Sequence, residues 1–360
     1  RGLGDVYKRQ RAMYKKFVRN TLMMTVALLI VCGSAIFAID PYYHYHTPWF
    51  GLQATPFQER YCNAGLAEHF DYDSVIIGSS MTENFRASWF DEAFSCKTIK
   101  LSYSGARSIN TKTIMEKVFE HGGVRNVFFG LDTAMLTSAP DFTQFDIPEY
   151  LYDGIGGNDV NYLLNKNILF GDTVKTLQRQ ENFSFDDMYV WEKNYTFSEK
   201  EVLYGKQAYV KSRLKTVKEP MEKTALLQTS RANLEQNILP FIQQNPDTTF
   251  YLFVPPYSIL FWDMEHRKGE TDALLYMLED TAEQLLDYPN VKLFYYQNIE
   301  EIVTDLNNYK DYSHYSSDVN RYIVRSMREG THQMTKENYR AEFQRMKDLA
   351  ENFDYEQFCQ

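Results

Sequence analysis

The stretch VIIGSS, residues 75–80, decides the fold prediction for this chain. Its three aliphatic residues are followed by Gly78 and predict a strand buried on both faces, as in the centre of a parallel sheet. In an open α/β sheet, ligands bind outside the carboxyl ends of the strands, so Ser79 and Ser80 stand where chemistry usually occurs. A polar turn followed by a helix N-cap is the other interpretation of the same three residues.

Strand and helix patterns alternate along the rest of the chain. Further strands are predicted at residues 98–101, 124–131, 249–254 and 291–296, and helices at residues 108–120 and about 271–287. This alternation is typical of βαβ units and predicts one large α/β domain with a parallel sheet covered on both faces. Residues 137–230 break the rhythm, because they are aromatic, polar and irregular with helical pieces, and they predict a mostly helical insertion or lid. Their aromatic side chains suit either core packing or a stacking surface for sugars.

The N-terminal region contains one candidate membrane span. Residues 21–39 carry no charge over a length that crosses the hydrocarbon of a bilayer as a helix. Lys15, Lys16 and Arg19 precede this segment and the next basic residue is Arg60, so the positive-inside rule predicts a cytoplasmic N-terminus and an extracytoplasmic remainder. A cleaved signal peptide is the alternative, with small residues at 33–35, but the apolar run continues past that site and favours retention in the cell membrane.

Short segments flank the predicted span. Residues 1–12 resemble translated sequencing-adapter sequence and are interpreted as an assembly artefact, which leaves residues 13–20 as a cytoplasmic stub. Residues 40–70 form a juxtamembrane segment. Its aromatic side chains predict a belt at the outer interface, namely Tyr42, Tyr43, Tyr45, Trp49 and Phe50.

The part of the chain beyond the span is acidic. Residues 1–39 hold seven basic and one acidic side chain, which leaves 31 basic and 47 acidic side chains in residues 40–360. This balance excludes nucleic acid as a partner and excludes a domain held flat on anionic lipid by charge alone. Cys62 and Cys96 are a candidate disulfide in an oxidising compartment, although the pairing is open because Cys359 is also there. No metal-ligand spacing is present, and neither a metal nor a cofactor is expected.

A catalytic serine needs a histidine base, and that base needs an acid to hold its tautomer. Two of the seven histidines follow an aspartate in an Asp-x-x-His pattern, at residues 263–266 and 311–314. The second pattern lies in a loop between the last predicted strand and a closing helix. This position favours His314 over His266 as the base.

Four motifs occur in the order of the conserved blocks of the SGNH/GDSL hydrolase superfamily, which the chain resembles over residues 73–326 with the insertion excepted. They are Gly78-Ser79-Ser80, Gly105 in LSYSGAR, Gly130-Leu131-Asp132 and Asp311-x-x-His314. The layout also resembles the membrane-anchored envelope branch, which includes the D-alanyl transfer protein and the alginate O-acetylation proteins. The resemblance implies a three-layer flavodoxin-like parallel sheet in a domain of residues 71–335, followed by a helical tail of residues 336–360.

The resemblance also implies roles for individual residues. Ser80 would be the nucleophile, His314 the general base and then acid, and Asp311 the residue that orients the histidine. The backbone N–H groups of Ser80 and Gly105 would form the oxyanion hole.

Two positions depart from the family pattern. Ser79 stands where the family has Asp, and Asp132 stands where the family has an Asn that donates to the oxyanion. An ionised carboxylate accepts hydrogen bonds and does not donate them. Either the hole keeps two donors or one of Arg107, Asn110 and Asn84 replaces the missing one.

These features predict an extracytoplasmic, membrane-anchored serine acyltransferase or esterase. It would act on O-acyl groups, in the first place acetyl, of a cell-envelope polysaccharide or related polymer, with a membrane O-acyltransferase as a further partner. The replaced Asn supports a second hypothesis, a catalytically weak partner protein in a membrane O-acyltransferase complex. A purely structural envelope domain would leave the order of the four motifs to chance.

Overall fold

The structure, a computed structural model, describes residues 3–180 and 183–359. In that part of the chain one six-stranded sheet has the strand order β2-β1-β3-β4-β5-β6. The strands are β1 Ser74–Ile77, β2 Thr98–Lys100, β3 Asn126–Gly130, β4 Thr249–Val254, β5 Val291–Tyr295 and β6 Gln333–Met334. Strands β1 to β5 are parallel, and β6 pairs antiparallel with β5.

Helices connect and flank these strands. Their bounds are α1 Leu3–Ile39, α2 Glu59–His69, α3 Ser80–Glu83, α4 Ala87–Phe94, α5 Ser108–His121, α6 Thr133–Thr137, α7 Val160–Leu163, α8 Thr173–Gln178, α9 Glu199–Tyr204, α10 Tyr209–Ser212, α11 Lys223–Asn233, α12 Leu239–Gln244, α13 Ile259–Lys268, α14 Thr271–Leu285, α15 Glu300–Val303, α16 Ser317–Glu329, α17 Tyr339–Asn352 and α18 Tyr355–Phe358. Short 3-10 and π turns lie between several of them.

The chain divides into two compact units. One unit consists of Arg1–Thr55 and Pro148–Phe183, and the other of Pro56–Ile147 and Ser184–Gln360. The region of residues 137–230 that the sequence marks as irregular is therefore shared between the units. Residues 148–183 belong with the N-terminal helix, whereas residues 137–147 and 184–230 belong with the sheet.

The sheet unit confirms the predicted α/β fold class. The order β2-β1-β3-β4-β5 is that of flavodoxin-like sheets, in which the chain changes direction between β1 and β3. Rings of β3 and α4 pack on one face, where Phe128 and Phe90 have centroids 4.4 Å apart. Rings of β4 and α5 pack on the other face, where Phe250 and Phe119 are 6.0 Å apart. Helices thus cover both faces and make three layers, which explains why the central strands are apolar throughout.

Two glycines allow the ends of β1 and β3 to pack around one threonine. A Cβ at Gly78 would lie 2.6 Å from the Thr82 methyl, and a Cβ at Gly130 would lie 2.5 Å from the same methyl. Gly78 also has a backbone φ of +154, a value that residues other than glycine rarely adopt. Glycine at both positions therefore places the loops after β1 and β3 side by side, at the edge of the sheet where the site lies.

The N-terminal unit is built on α1. This helix is long and apolar enough to fit a membrane anchor or a signal sequence. A tight turn follows it, because the buried carboxylate of Asp40 accepts hydrogen bonds from the backbone N–H groups of His44, Tyr45 and His46, at 3.0, 2.7 and 3.0 Å. The hydroxyl of Tyr162 also donates to Asp40, at 2.7 Å, and ties this turn to the later segment of the same unit.

The predicted aromatic belt is wrong for two of its members. Tyr42 and Tyr43 are each 1% exposed, and the Tyr42 hydroxyl donates to the Asp172 carboxylate over 2.6 Å. Trp49 and Phe50 are exposed, as a belt requires. The sequence pattern could not separate these pairs, because tyrosine suits both an interface and a buried hydrogen-bonded position.

The candidate disulfide is not formed in the described residues. No disulfide joins any two of Cys32, Cys62, Cys96 and Cys359. Cys62 is buried in α2, and the Cys96 thiol instead lies 3.5 Å from the carbonyl oxygen of Phe90.

Candidate active site

Ser80 is the first residue of α3, directly after the turn that ends β1. Ser79 caps this short helix, and its hydroxyl accepts a hydrogen bond from the backbone N–H of Met81 at 3.2 Å. The N-cap interpretation of VIIGSS is therefore confirmed at Ser79, and Ser80 lies beyond the cap with its side chain partly exposed. The turn presents the Ser80 hydroxyl at the carboxyl edge of the sheet.

The structure brings Ser80, His314 and Asp311 together. The Ser80 Oγ lies 2.9 Å from the His314 Nε2, although the two residues are 234 positions apart. The His314 Nδ1 lies 2.9 and 3.0 Å from the two carboxylate oxygens of Asp311. A carboxylate at Nδ1 favours the tautomer with its proton there, which leaves Nε2 free to accept the serine proton.

The Asp311 carboxylate is held in its ionised form. Burial alone would raise its pKa, but the hydrogen bond and charge of His314 and the backbone N–H groups of His314 and Ser313 keep that pKa well below its usual range. These N–H groups lie 2.8 and 2.9 Å from Oδ1. The Asp311 carboxylate is therefore held both by the backbone of its own loop and by the imidazole ring.

Contacts with neighbouring loops hold the histidine loop. Tyr309 and Tyr315 form an isolated antiparallel bridge that closes it. The Tyr309 hydroxyl donates to the carbonyl of Pro256 at 2.8 Å, and the Tyr315 hydroxyl donates to the carbonyl of Met81 at 3.1 Å. The second bond joins the loop directly to the helix that begins with Ser80.

Asp132 lies just after β3 and lines the cavity that Ser80 and His314 also line. Its carboxylate already has hydrogen-bond partners within the protein. It accepts hydrogen bonds from the Ser79 hydroxyl and, at 2.5 Å, from the Tyr257 hydroxyl. Burial raises its pKa, while these two bonds oppose the rise. Both carboxylate oxygens of Asp132 therefore act as acceptors, so its side chain supplies no identified donor to the cavity. Its hydrogen bonds fix Ser79, which precedes Ser80, and Tyr257.

The backbone donors predicted for the oxyanion hole border the same cavity. Within the described chain, neither the Ser80 N–H nor the Gly105 N–H has a hydrogen-bond partner, and both residues line the cavity. Gly105 has φ +71, and a Cβ there would lie 2.8 Å from the ring of Phe145.

The three side chains considered as replacement donors have different positions. Asn110 accepts from the Arg107 N–H at 2.8 Å and donates to the Thr143 hydroxyl at 3.2 Å, so it is used within its own turn. The side-chain amide oxygen of Asn84 accepts from the backbone N–H of Trp191 at 3.1 Å, so it is used in a contact with the predicted insertion. Of the three, only Arg107 lines the cavity.

The rival Asp-x-x-His pattern lies elsewhere. His266 is exposed on α13, and the fully buried Asp263 forms ion pairs with Arg213 and Arg267 at 2.6 and 2.9 Å. This aspartate stabilises the packing of α13 and does not face a histidine base.

The sequence patterns missed Trp191, which contacts both Ser80 and His314. Its Nε1 donates to the Ser80 carbonyl oxygen at 2.9 Å, and its ring meets the His314 ring edge-on at 5.6 Å. The ammonium of Lys310 lies 4.5 Å from the Trp191 ring and 3.7 Å from the Asp311 carboxylate. Aromatic density in residues 184–198 was visible in the sequence, but no spacing marked this tryptophan.

Lys100 is a second residue that the sequence patterns missed. It is buried at the end of β2, and its ammonium donates to the carbonyl oxygens of Glu83 and Phe85 at 2.5 and 2.7 Å. Burial lowers its pKa to about 7, although the nearby Glu83 opposes the shift. The lysine therefore closes the carboxyl end of the helix that begins with Ser80.

Ser80 and His314 border a cavity of about 360 Å³. Its lining combines the Ser80 hydroxyl and the His314 imidazole with aromatic side chains, one arginine and one aspartate, namely Ser79, Ser80, Met81, Ser104, Gly105, Arg107, Asp132, Thr133, Ala134, Gln144, Phe145, Tyr257, Phe261, Tyr312, Ser313 and His314. Chemically, this arrangement offers a serine nucleophile, an oriented base and two unoccupied backbone donors in one enclosure. Within the described chain no cluster of metal-binding side chains is present.

Comparison with known proteins gives several distant structural matches, two of which are as follows. No family model and no curated protein matches the chain. A protein provisionally named platelet activating factor, from Streptococcus pneumonia, is 12% identical with a TM-score of 0.33, over 81% of this chain and 91% of its own. An acylhydrolase, also provisionally named, from Bacteroides fragilis NCTC 9343 is 12% identical with a TM-score of 0.30, over 72% of this chain and 86% of its own. Likenesses this weak say nothing about activity, which must be inferred from the residues themselves.

Proposed function

We propose that this protein is a serine esterase or acyltransferase that works through an acyl-enzyme on Ser80. The observation that carries the proposal is the continuous line of hydrogen-bond distances from the Ser80 hydroxyl through the His314 ring to the Asp311 carboxylate. A buried structural cluster needs neither a partly exposed hydroxyl nor a cavity in front of it. Both are present here.

The chemistry follows from the groups present. The Ser80 oxygen attacks an ester carbonyl carbon while the His314 Nε2 accepts the hydroxyl proton. The carbonyl oxygen becomes an oxyanion, and the N–H groups of Ser80 and Gly105 stabilise it. His314 then gives the proton to the departing alcohol as the ester bond breaks. Water or an acceptor hydroxyl attacks the resulting acyl-serine and completes hydrolysis or transfer.

The setting of the reaction is part of the proposal. We place α1 across the cell membrane with its N-terminus in the cytoplasm and the sheet unit outside, because basic residues precede the apolar segment. The substrate class is then O-acyl groups, in the first place acetyl, on an extracellular envelope polysaccharide or related polymer. A membrane O-acyltransferase is a suitable partner for a protein anchored in this way.

Asp132 supports a second candidate function. Because it accepts two hydrogen bonds, the oxyanion hole has two identified donors, and loss of one donor commonly costs about 10²- to 10³-fold in rate. A protein with so weak a centre could instead organise an O-acyltransferase complex in the membrane.

Turnover of 4-nitrophenyl acetate by the full chain in detergent separates the two candidates. The esterase proposal expects turnover that Ser80→Ala abolishes, while the neighbouring Ser104→Ala variant, which keeps the triad, retains it. Equal background turnover by the wild type and Ser80→Ala would contradict the esterase and favour the partner protein.

A further inference from the structure

One positively charged side chain faces the cavity and forms no ion pair with any described residue. Arg107 is the only lysine or arginine among the described residues that line the cavity around Ser80. Its side chain follows Gly105 on the loop after β2, and the Cζ lies 5.9 Å from the centre of the Phe142 ring. The loop therefore brings a guanidinium to the wall of the site.

The hydrogen-bonding capacity of this guanidinium is largely unused. Of its five N–H donors, one on Nη1 contacts the carbonyl oxygen of Gly105 at 3.3 Å, and the buried Nε has no partner in the described chain. A buried donor without an acceptor is destabilising, and a ligand that accepts its hydrogen bond removes this cost. The arginine is thus arranged for a partner that the protein itself does not provide.

Other enclosed arginines in this unit are treated differently. Arg213 and Arg267 share the buried carboxylate of Asp263, at 2.6 and 2.9 Å, and both also contact Glu356. The fold therefore supplies acids to arginines that serve its own packing. Arg107 forms no ion pair with an acid in the part of the chain that the structure describes, which separates it from the structural arginines.

Asp132, the acidic side chain of the same cavity, does not fill this role. Its two oxygens accept from Ser79 and Tyr257. The charge of Arg107 acts to lower the pKa of Asp132, but among the described residues the two side chains form no ion pair at contact distance. Aromatic rings line much of the remaining wall, including those of Phe145 and Phe261. A ligand that joins an apolar ester to an anionic group would match both kinds of surface.

We propose that Arg107 binds an oxyanionic group, a carboxylate or a phosphate, that is part of the ester attacked by Ser80. Arginine suits this role because its planar donors match both anions in a two-pronged hydrogen bond. The inference rests on the proposed function, since it assigns the substrate class of the same site. Arg107 thereby determines substrate specificity, while the backbone N–H groups of Ser80 and Gly105 stabilise the oxyanion that forms in the reaction.

The test compares matched esters with and without an anionic group on either side of the scissile bond. On the acyl side the pair is mono-4-nitrophenyl succinate and the neutral 4-nitrophenyl levulinate, and on the alcohol side it is 2-acetoxybenzoate and phenyl acetate. The full chain is assayed as wild type, Arg107→Met and Arg107→Lys. Arg328→Met, at an exposed arginine of α16, is the control for loss of one positive charge.

The proposal expects a selective loss. For at least one anionic ester, kcat/KM should fall about 10- to 100-fold in Arg107→Met, with partial retention in Arg107→Lys, while the neutral partner stays within about twofold. Competitive inhibition by inorganic phosphate or by succinate, weakened in the same variant, would tell whether the site prefers a phosphate or a carboxylate. Arg328→Met should behave like the wild type.

Three results would overturn the inference. Equal losses for neutral and anionic esters would make Arg107 a donor to the reaction oxyanion or a structural residue, and unchanged rates for all four esters would leave it without a role in binding. A wild-type chain that turns over none of the esters, and whose Ser80 does not react with a neutral fluorophosphonate, would instead refute the proposed function. If neither inorganic phosphate nor succinate slows the labelling of Ser80, the anion site is contradicted while the proposed function stands.

Discussion

Trp191 Nε1 donates a hydrogen bond to the carbonyl oxygen of Ser80 over 2.9 Å, although the two residues are 111 positions apart in the chain. The same ring meets the His314 ring at 5.6 Å and nearly at a right angle. The segment after Trp191 is itself fixed, because the Glu192 carboxylate accepts from the Ser317 N–H and hydroxyl at 2.8 and 2.7 Å. This segment of the sheet unit therefore helps to fix the geometry of the triad.

Replacement of Trp191 should lower kcat more than it changes KM. Trp191→Phe keeps a ring beside His314 but removes the donor to Ser80, and about a tenfold loss in kcat is expected from one hydrogen bond. Trp191→Ala should lose more, because the ring contact also disappears. Trp89→Phe, on α4 and outside the cavity, is the matched control. Wild-type kcat in Trp191→Phe would show that this bond has no part in positioning Ser80.

Asp311→Asn should leave measurable activity. The Ser313 hydroxyl lies 3.3 Å from the His314 Nδ1, so the ring keeps a neighbour that can accept a hydrogen bond from Nδ1–H when the carboxylate is absent. We expect a fall of about 10²- to 10⁴-fold in kcat, and a further fall when Ser313→Ala is added. His314→Ala should instead approach Ser80→Ala, and the double variant should cost little more. Steady-state kinetics with an activated acetyl ester measure each step, and strictly additive losses would contradict a single catalytic unit.

The same carboxylate should make stability depend on pH in one direction. The folded state lowers the pKa of Asp311, so its ionised form contributes stability that is complete above the unfolded pKa of about 4 and is lost as the pH falls through the lower folded pKa. The difference in urea midpoint between the wild type and Asp311→Asn should therefore be constant near neutral pH and narrow below about pH 4. A difference that widens on acidification would have the wrong sign for this account.

Gly130→Ala should destabilise the sheet edge beneath the site. The added Cβ would lie 2.5 Å from the Thr82 methyl, and overpacking of this kind costs about 1–3 kcal/mol. Thr82→Ser removes the methyl but keeps the hydroxyl that donates to Ser102 at 2.6 Å, so it should restore part of the loss. Chemical denaturation of the two single variants and the double variant measures the coupling. Additive free energies of unfolding would contradict a direct clash.

Most of the fold could be predicted from the sequence because each central strand is short, apolar and followed by a turn signal. Strands β1 to β5 were predicted within a few residues, whereas β6 has two residues and pairs antiparallel, which gives no periodic pattern to detect. The division of residues 137–230 between two units was not visible, since it depends on long-range contacts such as that of Tyr162 with Asp40.

Within the candidate site, the sequence identified residues that follow strands or share a spacing, and it missed those that arrive from elsewhere. Ser80 and Asp132 follow β1 and β3, and the spacing from Asp311 marks His314. Trp191 has neither kind of signal because an irregular segment delivers it. Similarly, only the packed structure tells that Arg107 faces the cavity while Asn110 is used within its own turn.

The most direct test of the central claim is the rate at which a neutral fluorophosphonate labels Ser80 in the full chain. Labelling is located by peptide mass spectrometry and compared between the wild type and His314→Ala, with circular dichroism to show that both are folded. The account predicts modification of the wild type at Ser80 and a rate at least about 10²-fold lower in His314→Ala, because the base that activates the hydroxyl is gone. Equal rates in the two proteins, or no modification of Ser80 in the folded wild type, would contradict it.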